Sequence, residues 1–315
     1  MRISLPIALI AAVCLLTANA EPGRAQAPRT WVSGVGDDVN PCSRIAPCKT
    51  FAGAISKTAT FGEINCLDSG GFGAVTITKS ISIDCGEAHG SILAGGSNAI
   101  NVNGANIIVN IRNLSLNGAG GGITGINFTN GSALEVHNVT IFGFIAGNAQ
   151  GIRFTPQSGN SLLLVSNSTI MTNGIAPSGG GGISVQTAGG SAEVVIQNTR
   201  IENNAVGVTA VSTSGAIKMT VRESIVASSR SFGIISNAAG AAINLMVERT
   251  TVSNTLGTGV LSQGASSIVR INRSIVTGNT TGVGTVGGGV LRSYKNNAIN
   301  GNGSEGTPIP PEGLN

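Results

Sequence analysis

The chain has 315 residues, 47 of them Gly, with 10% charged and 3% aromatic residues and a formal net charge of +4. Low charge combined with 41% hydrophobic residues excludes a disordered chain, Gly without a three-residue period excludes collagen, and the composition is wrong for a coiled coil. Gly, Asn, Ser, Thr, Val and Ile dominate instead, a β composition rich in turns.

Residues 1–20 read as a secretory signal: Arg2 opens it, Leu5 to Leu16 is apolar, and Ala18-Asn19-Ala20 offers a cleavage site, with Ala25-Gln26-Ala27 as a second one. The apolar run is too short to span a bilayer, and no later segment is long and apolar enough. A secreted, periplasmic or cell-surface protein is expected, without a membrane span after cleavage. Cys14 leaves with the signal, and Cys42, Cys48, Cys66 and Cys85 remain. An even number in an exported chain suggests two disulfides. Four Cys allow three connectivities; the favoured one joins Cys42 to Cys48, across a short loop containing Pro47, and Cys66 to Cys85. These spacings, with only His89 and His137 in the chain, do not suit a metal site. Neither metal nor cofactor is expected. The bases are scattered, without a Lys/Arg run or interleaved aromatics, so nucleic acid is not an expected partner.

From about residue 105 the chain repeats itself. Take Asn113, Asn138, Asn167, Asn198, Glu223, Arg249, Arg273 and Asn297 as anchors. Two residues before them stand Ile111, Val136, Val165, Ile196, Val221, Val247, Ile271 and Lys295. The columns four before and three after are likewise apolar in all units but the last, whereas the column one before (Arg112, His137, Ser166, Gln197, Arg222, Glu248, Asn272, Asn296) has no apolar member. This alternation marks a half-buried strand in each unit. A second strand follows at a Gly-aliphatic step, from Gly125-Ile126 through Gly151-Ile152 and Gly182-Ile183 to Gly282-Val283. A unit of ~25 residues cannot bury its own apolar face, but stacked units can. The pattern predicts a solenoid with parallel strands and an aliphatic interior. A β-propeller would need longer units, and leucine-rich repeats would show their Leu signature. The anchor column is expected to be an inward Asn ladder (Asn113, Asn138, Asn167, Asn198, Asn297), interrupted by an acid and bases, Glu223, Arg249 and Arg273, that can pair.

The stretch Lys49-Thr50-Phe51-Ala52-Gly53-Ala54-Ile55, then Gly62-Glu63-Ile64-Asn65-Cys66-Leu67, then Gly71-Phe72 and Val75 to Ile83, resembles the opening pattern of the right-handed parallel β-helix superfamily, often called pectin-lyase-like. The resemblance implies an all-β, single-stranded right-handed parallel β-helix of about nine coils. It also implies a short capping helix over Thr50 to Thr58, with Phe51, Ala54 and Ile55 on one face. The expected organisation is a signal peptide (1–20), an N-terminal extension with a disulfide loop (21–48), capping helix and β-helix (49–303), and a flexible tail (304–315).

The superfamily includes polygalacturonases, pectin esterases, polysaccharide lyases, epimerases and non-catalytic adhesins, so the fold does not carry an activity. This chain has only four Asp (Asp37, Asp38, Asp68, Asp84), none of them after residue 84. Glycoside hydrolysis needs two carboxyl groups facing one bond, and Ca²⁺ needs several charged oxygen ligands. The acids of the repeats, Glu135, Glu193, Glu202, Glu223 and Glu248, fall in different columns. No catalytic motif of the superfamily maps onto these residues. The G-x-G-x-x-G matches at Gly120 and Gly282 lack the helix that a dinucleotide site requires. One constellation stands out: Arg112 and His137 share an outward column, Glu135 lies two residues before His137, and Arg153 follows on a nearby strand. Such a set of base, acid and cations suits a uronic acid. Arg222 and Glu248 are expected to form a surface ion pair. Trp31 and Tyr294, the only Trp and Tyr, lie outside the middle of the repeat, which weakens a lectin-like reading based on stacked aromatics. The sequence therefore favours a non-catalytic secreted β-helix with a structural, adhesive or glycan-contact role, whose partners would be polysaccharide or a cell-envelope or host surface. The competing reading is a lyase or epimerase acting on an acidic glycan through Arg112, Glu135, His137 and Arg153.

Overall fold

The computed structural model of the chain describes residues 26–175, 179–311 and 313. The expected signal peptide lies outside the described residues. The rest is a right-handed parallel β-solenoid of about nine coils with one short helix, and every pairing between its strands is parallel.

Each coil has three faces. Alternating residues give the first face, as in Asn160–Ser166, Ser191–Gln197 and Ile217–Arg222. The second face follows one bend later, as in Thr169–Met171 and Arg200–Glu202. In Ile108–Asn117 and Ala133–Phe142 one strand runs over both faces. The third face is a ten-stranded sheet built from the Gly-aliphatic steps, including Thr124–Asn130, Gln150–Phe154 and Gly181–Thr187. Like stacks on like: Ile111, Val136, Val165, Ile196, Val221, Val247 and Ile271 are successive register partners, and all are fully buried. The glycines of the third face stand where the coil turns tightly. A Cβ on Gly151 would lie 2.7 Å from both the Gly182 carbonyl oxygen and an Ile170 methyl, so any side chain there forces the rungs apart.

The anchor column does not point inward. Asn113, Asn138, Asn167 and Asn198 sit at the bend between first and second faces with φ of 57°, 52°, 51° and 47°, and Glu223, Arg249 and Arg273 share that conformation. Asn is selected here because it tolerates the left-handed region, and its side chain faces outward. The column still forms bonds, at the surface: Asn138 Nδ2 donates to Asn113 Oδ1 at 2.7 Å, Asn198 Nδ2 donates to Asn167 Oδ1 at 2.5 Å, and Arg249 meets Glu223 at 2.7 Å. The last anchor is Lys295, in the same left-handed conformation (φ 62°), because Ser293 rather than Lys295 pairs with Ile271. Asn297 lies on the inward side, where its Oδ1 accepts from the Ser274 N–H.

Two other columns carry the inward polar ladders. One residue after the anchors, Ser168, Thr199, Ser224, Thr250 and Ser274 are buried, and hydroxyls accept from backbone N–H groups one rung away, Ser224 from Thr199 and Ser274 from Thr250. Six residues after the anchors stand Asn173, Asn204, Ser229, Thr255 and Asn279, all buried. Asn204 Oδ1 accepts from the Asn173 backbone N–H at 3.0 Å and side-chain Nδ2 at 3.1 Å, and its Nδ2 donates to the Ile170 carbonyl at 2.9 Å. Asn279 repeats the arrangement with Asn302. These amides satisfy backbone groups that the turn buries.

The solenoid extends further at both ends than the repeat suggested. Ala27–Val32, within the expected extension, pairs with Thr58–Cys66 as a first rung. The helix Phe51–Lys57 follows, N-capped by the Thr50 hydroxyl, and it buries Phe51 and Ala54. It packs against Val75–Ile77, the first strand of the third face, with Phe51 meeting Phe72 edge-on. The Asp38 carboxylate accepts from the Lys49 and Thr50 backbone N–H groups at 2.9 Å and from the Thr50 hydroxyl at 2.7 Å. Burial raises its pKa, but these bonds and the Lys57 charge outweigh that and hold the carboxyl below its usual value. Disulfides join Cys42 to Cys48 and Cys66 to Cys85, with Cα separations of 4.6 and 4.5 Å. The second ties neighbouring rungs. At the far end Ser304–Gly306 adds a last strand to the third face, and Ile309 packs against the core.

Candidate functional site

The constellation proposed from sequence divides between two faces. Arg112 and His137 are register partners on the first face, one rung apart. Alternation puts Glu135 on the same outer surface, and its Oε2 lies 3.9 Å from Arg112 Nη2, with both side chains partly exposed. His137 Nδ1 is 3.0 Å from Ser166 Oγ and 3.3 Å from Asn167 Nδ2. Arg112, Glu135, His137, Leu164 and Ser166 line a shallow groove of about 290 Å³. Arg153 does not join them. It lies on the third face, in register with Asn127 and Ser184, because it follows the Gly151-Ile152 step that turns the chain onto that face.

Each repeat acid is held by a cation. Glu193 faces Lys218 at 3.5 Å, Glu202 faces Arg200 at 2.6 Å, and Arg249 lies between Glu223 and Glu248. The expected Arg222–Glu248 pair does not form. Arg222 turns toward the preceding rung and donates through Nε to Gln197 Oε1 at 3.1 Å, while Glu248 takes Arg249 at 3.5 Å. Gln197 and Glu248 are both register partners of Arg222, and Glu248 is already taken by the adjacent Arg249.

Around Arg153 the third face gathers amides that sequence reasoning passed over. Asn98 and Asn127 both donate their Nδ2 to Asn101 Oδ1, at 2.8 and 3.2 Å. That leaves the Asn98 and Asn127 side-chain oxygens buried and unpartnered, and Gln150 Oε1 is in the same condition on a side chain only 4% exposed. Asn98, Thr124 and Gln150 form one column, and Asn101, Asn127 and Arg153 the next. Beside them Gln150, Ser184, Gln186, Thr209, Phe232 and Ile235 line a groove of about 230 Å³. The readable signal was the recurrence of amides one and two rungs before Arg153. A larger notch of about 640 Å³, with Glu87, His89 and Ser91 on one side and Asn113, Asn138 and Thr140 on the other, opens on the second face.

A family model described as "Right handed beta helix region" matches residues 124–307. Among solved structures, pectate lyase Pel9A is similar with a TM-score of 0.52 and 12% identity over 88% of this chain and 80% of that one. A GH136 lacto-N-biosidase from Eubacterium ramulus is matched with a TM-score of 0.36 and 12% identity over 90% of this chain and 67% of that one. No curated protein matches the sequence. At this identity the likeness to the lyase shows the fold alone.

Proposed function

The chain belongs to the right-handed beta helix family, and we propose that it is an exported, non-catalytic member that contacts acidic polysaccharide through its third face, in a structural or adhesive role. The observation that carries this reading is the run of three unpartnered amide oxygens, Asn98, Asn127 and Gln150, beside Arg153. A buried acceptor without a donor costs about 1–3 kcal/mol. Rotation of these amides toward the surface would present their oxygens to sugar hydroxyls arriving along the face, the Arg153 guanidinium would take a carboxylate, and the half-buried Phe232 offers an apolar ring to the C–H side of a sugar. The two disulfides suit an extracellular setting. The acids of the repeats, each neutralised by a nearby cation and spread over separate columns, favour contact over cleavage.

Affinity electrophoresis in gels containing polygalacturonate tests the reading. The wild-type chain should be retarded, and Arg153→Ala and Gln150→Ala should each relieve the retardation. Unretarded wild type, or retardation indifferent to both substitutions, refutes it. The first-face groove supports a second reading, a lyase acting through Arg112, Glu135 and His137. Ultraviolet absorbance of an unsaturated uronate product, abolished by His137→Ala, would establish that reading in place of the first.

A further inference from the structure

The first face presents its outward side chains as three columns over eight rungs. The central column reads Asn110, Glu135, Leu164, Val195, Thr220, Met246, Arg270 and Arg292. Its middle is apolar, one end carries an acid and the other carries bases. In the neighbouring column Ile108, Ala133 and Leu162 precede Glu193, Lys218 and Asn244, and Ile268 and Val290 close it. Ile108 and Leu162 are 42% and 38% exposed. Leu162, Val195 and Met246 line a groove of about 480 Å³ along this surface.

We infer that this face is the interface of a homodimer whose two-fold axis runs parallel to the strands, between the rungs of Val195 and Thr220. That rotation reverses the order of the rungs and keeps each column opposite itself. Glu135 then faces Arg270 of the second copy, with Arg292 of the second copy one rung away. Glu193 faces Lys218 of the second copy, and Leu164 faces Met246. Ile108 meets Val290, Ala133 meets Ile268, and Gln197 meets Arg222. Acid meets base and most apolar residues meet apolar ones; Leu162 falls opposite Asn244 and Val195 opposite Thr220, and no like charges are opposed in these pairs.

The alternative two-fold, along the solenoid axis, keeps each rung opposite itself. It would set Glu135, Arg270 and Arg292 each against its own copy. Like-charge opposition disfavours that arrangement, so the charge pattern selects one orientation. Eight rungs at ~4.8 Å and five residues at ~3.3 Å give a face of roughly 630 Å². Two such faces bury about 1,300 Å², enough for a specific, reversible association. The arrangement covers the groove at Arg112 and His137 and leaves the third face open.

Sedimentation velocity on the mature chain tests the inference. At tens of micromolar and low salt the wild type should sediment at twice the monomer mass, and added salt should weaken the association. Glu135→Arg and Arg270→Glu should each give monomers, with a loss in affinity of about tenfold or more, while the two together restore the dimer. Glu193→Lys with Lys218→Glu provides an independent swap near the axis if a variant of the first pair fails to fold, as judged by circular dichroism. A wild type that stays monomeric, a dimer indifferent to the single changes, or a failure of both double swaps to restore association overturns the proposal.

Discussion

Asn204→Ala should destabilise the chain far more than Asn198→Ala, although the two asparagines are six residues apart and belong to the same coil. Asn204 is fully buried. Truncating it removes the acceptor of the Asn173 backbone N–H and the donor to the Ile170 carbonyl. Each orphaned buried group costs about 1–3 kcal/mol, so the loss is about 2–6 kcal/mol. Asn173 Nδ2 retains the Ile141 carbonyl at 3.3 Å and adds little to the loss. Asn198 is an exposed bend residue at φ 47° with one surface bond, to Asn167. Its replacement by Ala costs about 1 kcal/mol, chiefly because Ala tolerates left-handed backbone less well. Asn198→Gly should be nearly neutral for the same reason. Urea midpoints for the three variants, monitored by far-ultraviolet circular dichroism, give the comparison. Equal losses at 198 and 204, or an Asn198→Gly change as damaging as Asn204→Ala, would refute the assignment of the buried ladder.

Other perturbations separate core, cap and staple. Val165→Asp places a charge in the fully buried column between Val136 and Ile196. It should lower stability by more than about 4 kcal/mol or abolish folding, and an unchanged melting temperature would contradict the inward placement. The Asp38 carboxyl is held below its usual pKa, so it contributes stability above the unfolded value of about 3.9 and loses it as pH falls through the lowered folded value. Asp38→Asn should therefore melt below wild type at pH 7, with the gap closing in strong acid; a gap independent of pH contradicts the linkage. Reducing Cys66–Cys85, which spans 19 positions of sequence, should cost about 3 kcal/mol by loop closure. Hydrogen exchange should then accelerate in the first rungs before the repeats from residue 124 onward, and uniform acceleration would count against a local staple.

The stacking columns were legible because burial on one side of a strand leaves a period of two, and a coil of nearly fixed length repeats it. The direction of the anchor column was not legible. Asn serves equally well at an exposed left-handed bend and in a buried ladder, and its recurrence alone does not distinguish Asn138 from Asn204. The neighbouring column carried a usable hint, since Ser168, Thr199, Ser224, Thr250 and Ser274 are short hydroxyl residues between apolar positions. Sequence alone groups Arg153 with Arg112 and His137 because sequence distance does not report which of three faces a strand occupies; the Gly151 corner decides that. The two-position offset between Lys295 and Asn297 falls where the last coil gains a residue at its bend. The third-face amides escaped notice because their significance lies in which oxygens lack donors, a property of side-chain geometry rather than pattern.

Neighbouring coils of the solenoid lie in strict register. Thr209 and Ile235 are register partners on the outside of the third face, while Asn237 is two residues further along the same strand. Cysteines at 209 and 235 should oxidise to a bridge, as Cys66 and Cys85 do one rung apart. Cysteines at 209 and 237 should not, since adjacent rungs with that offset separate their Cα atoms by about 8 Å, beyond disulfide reach. Peptide mapping by mass spectrometry that finds the 209–235 bridge and no 209–237 bridge meets the prediction; the reverse pattern contradicts it.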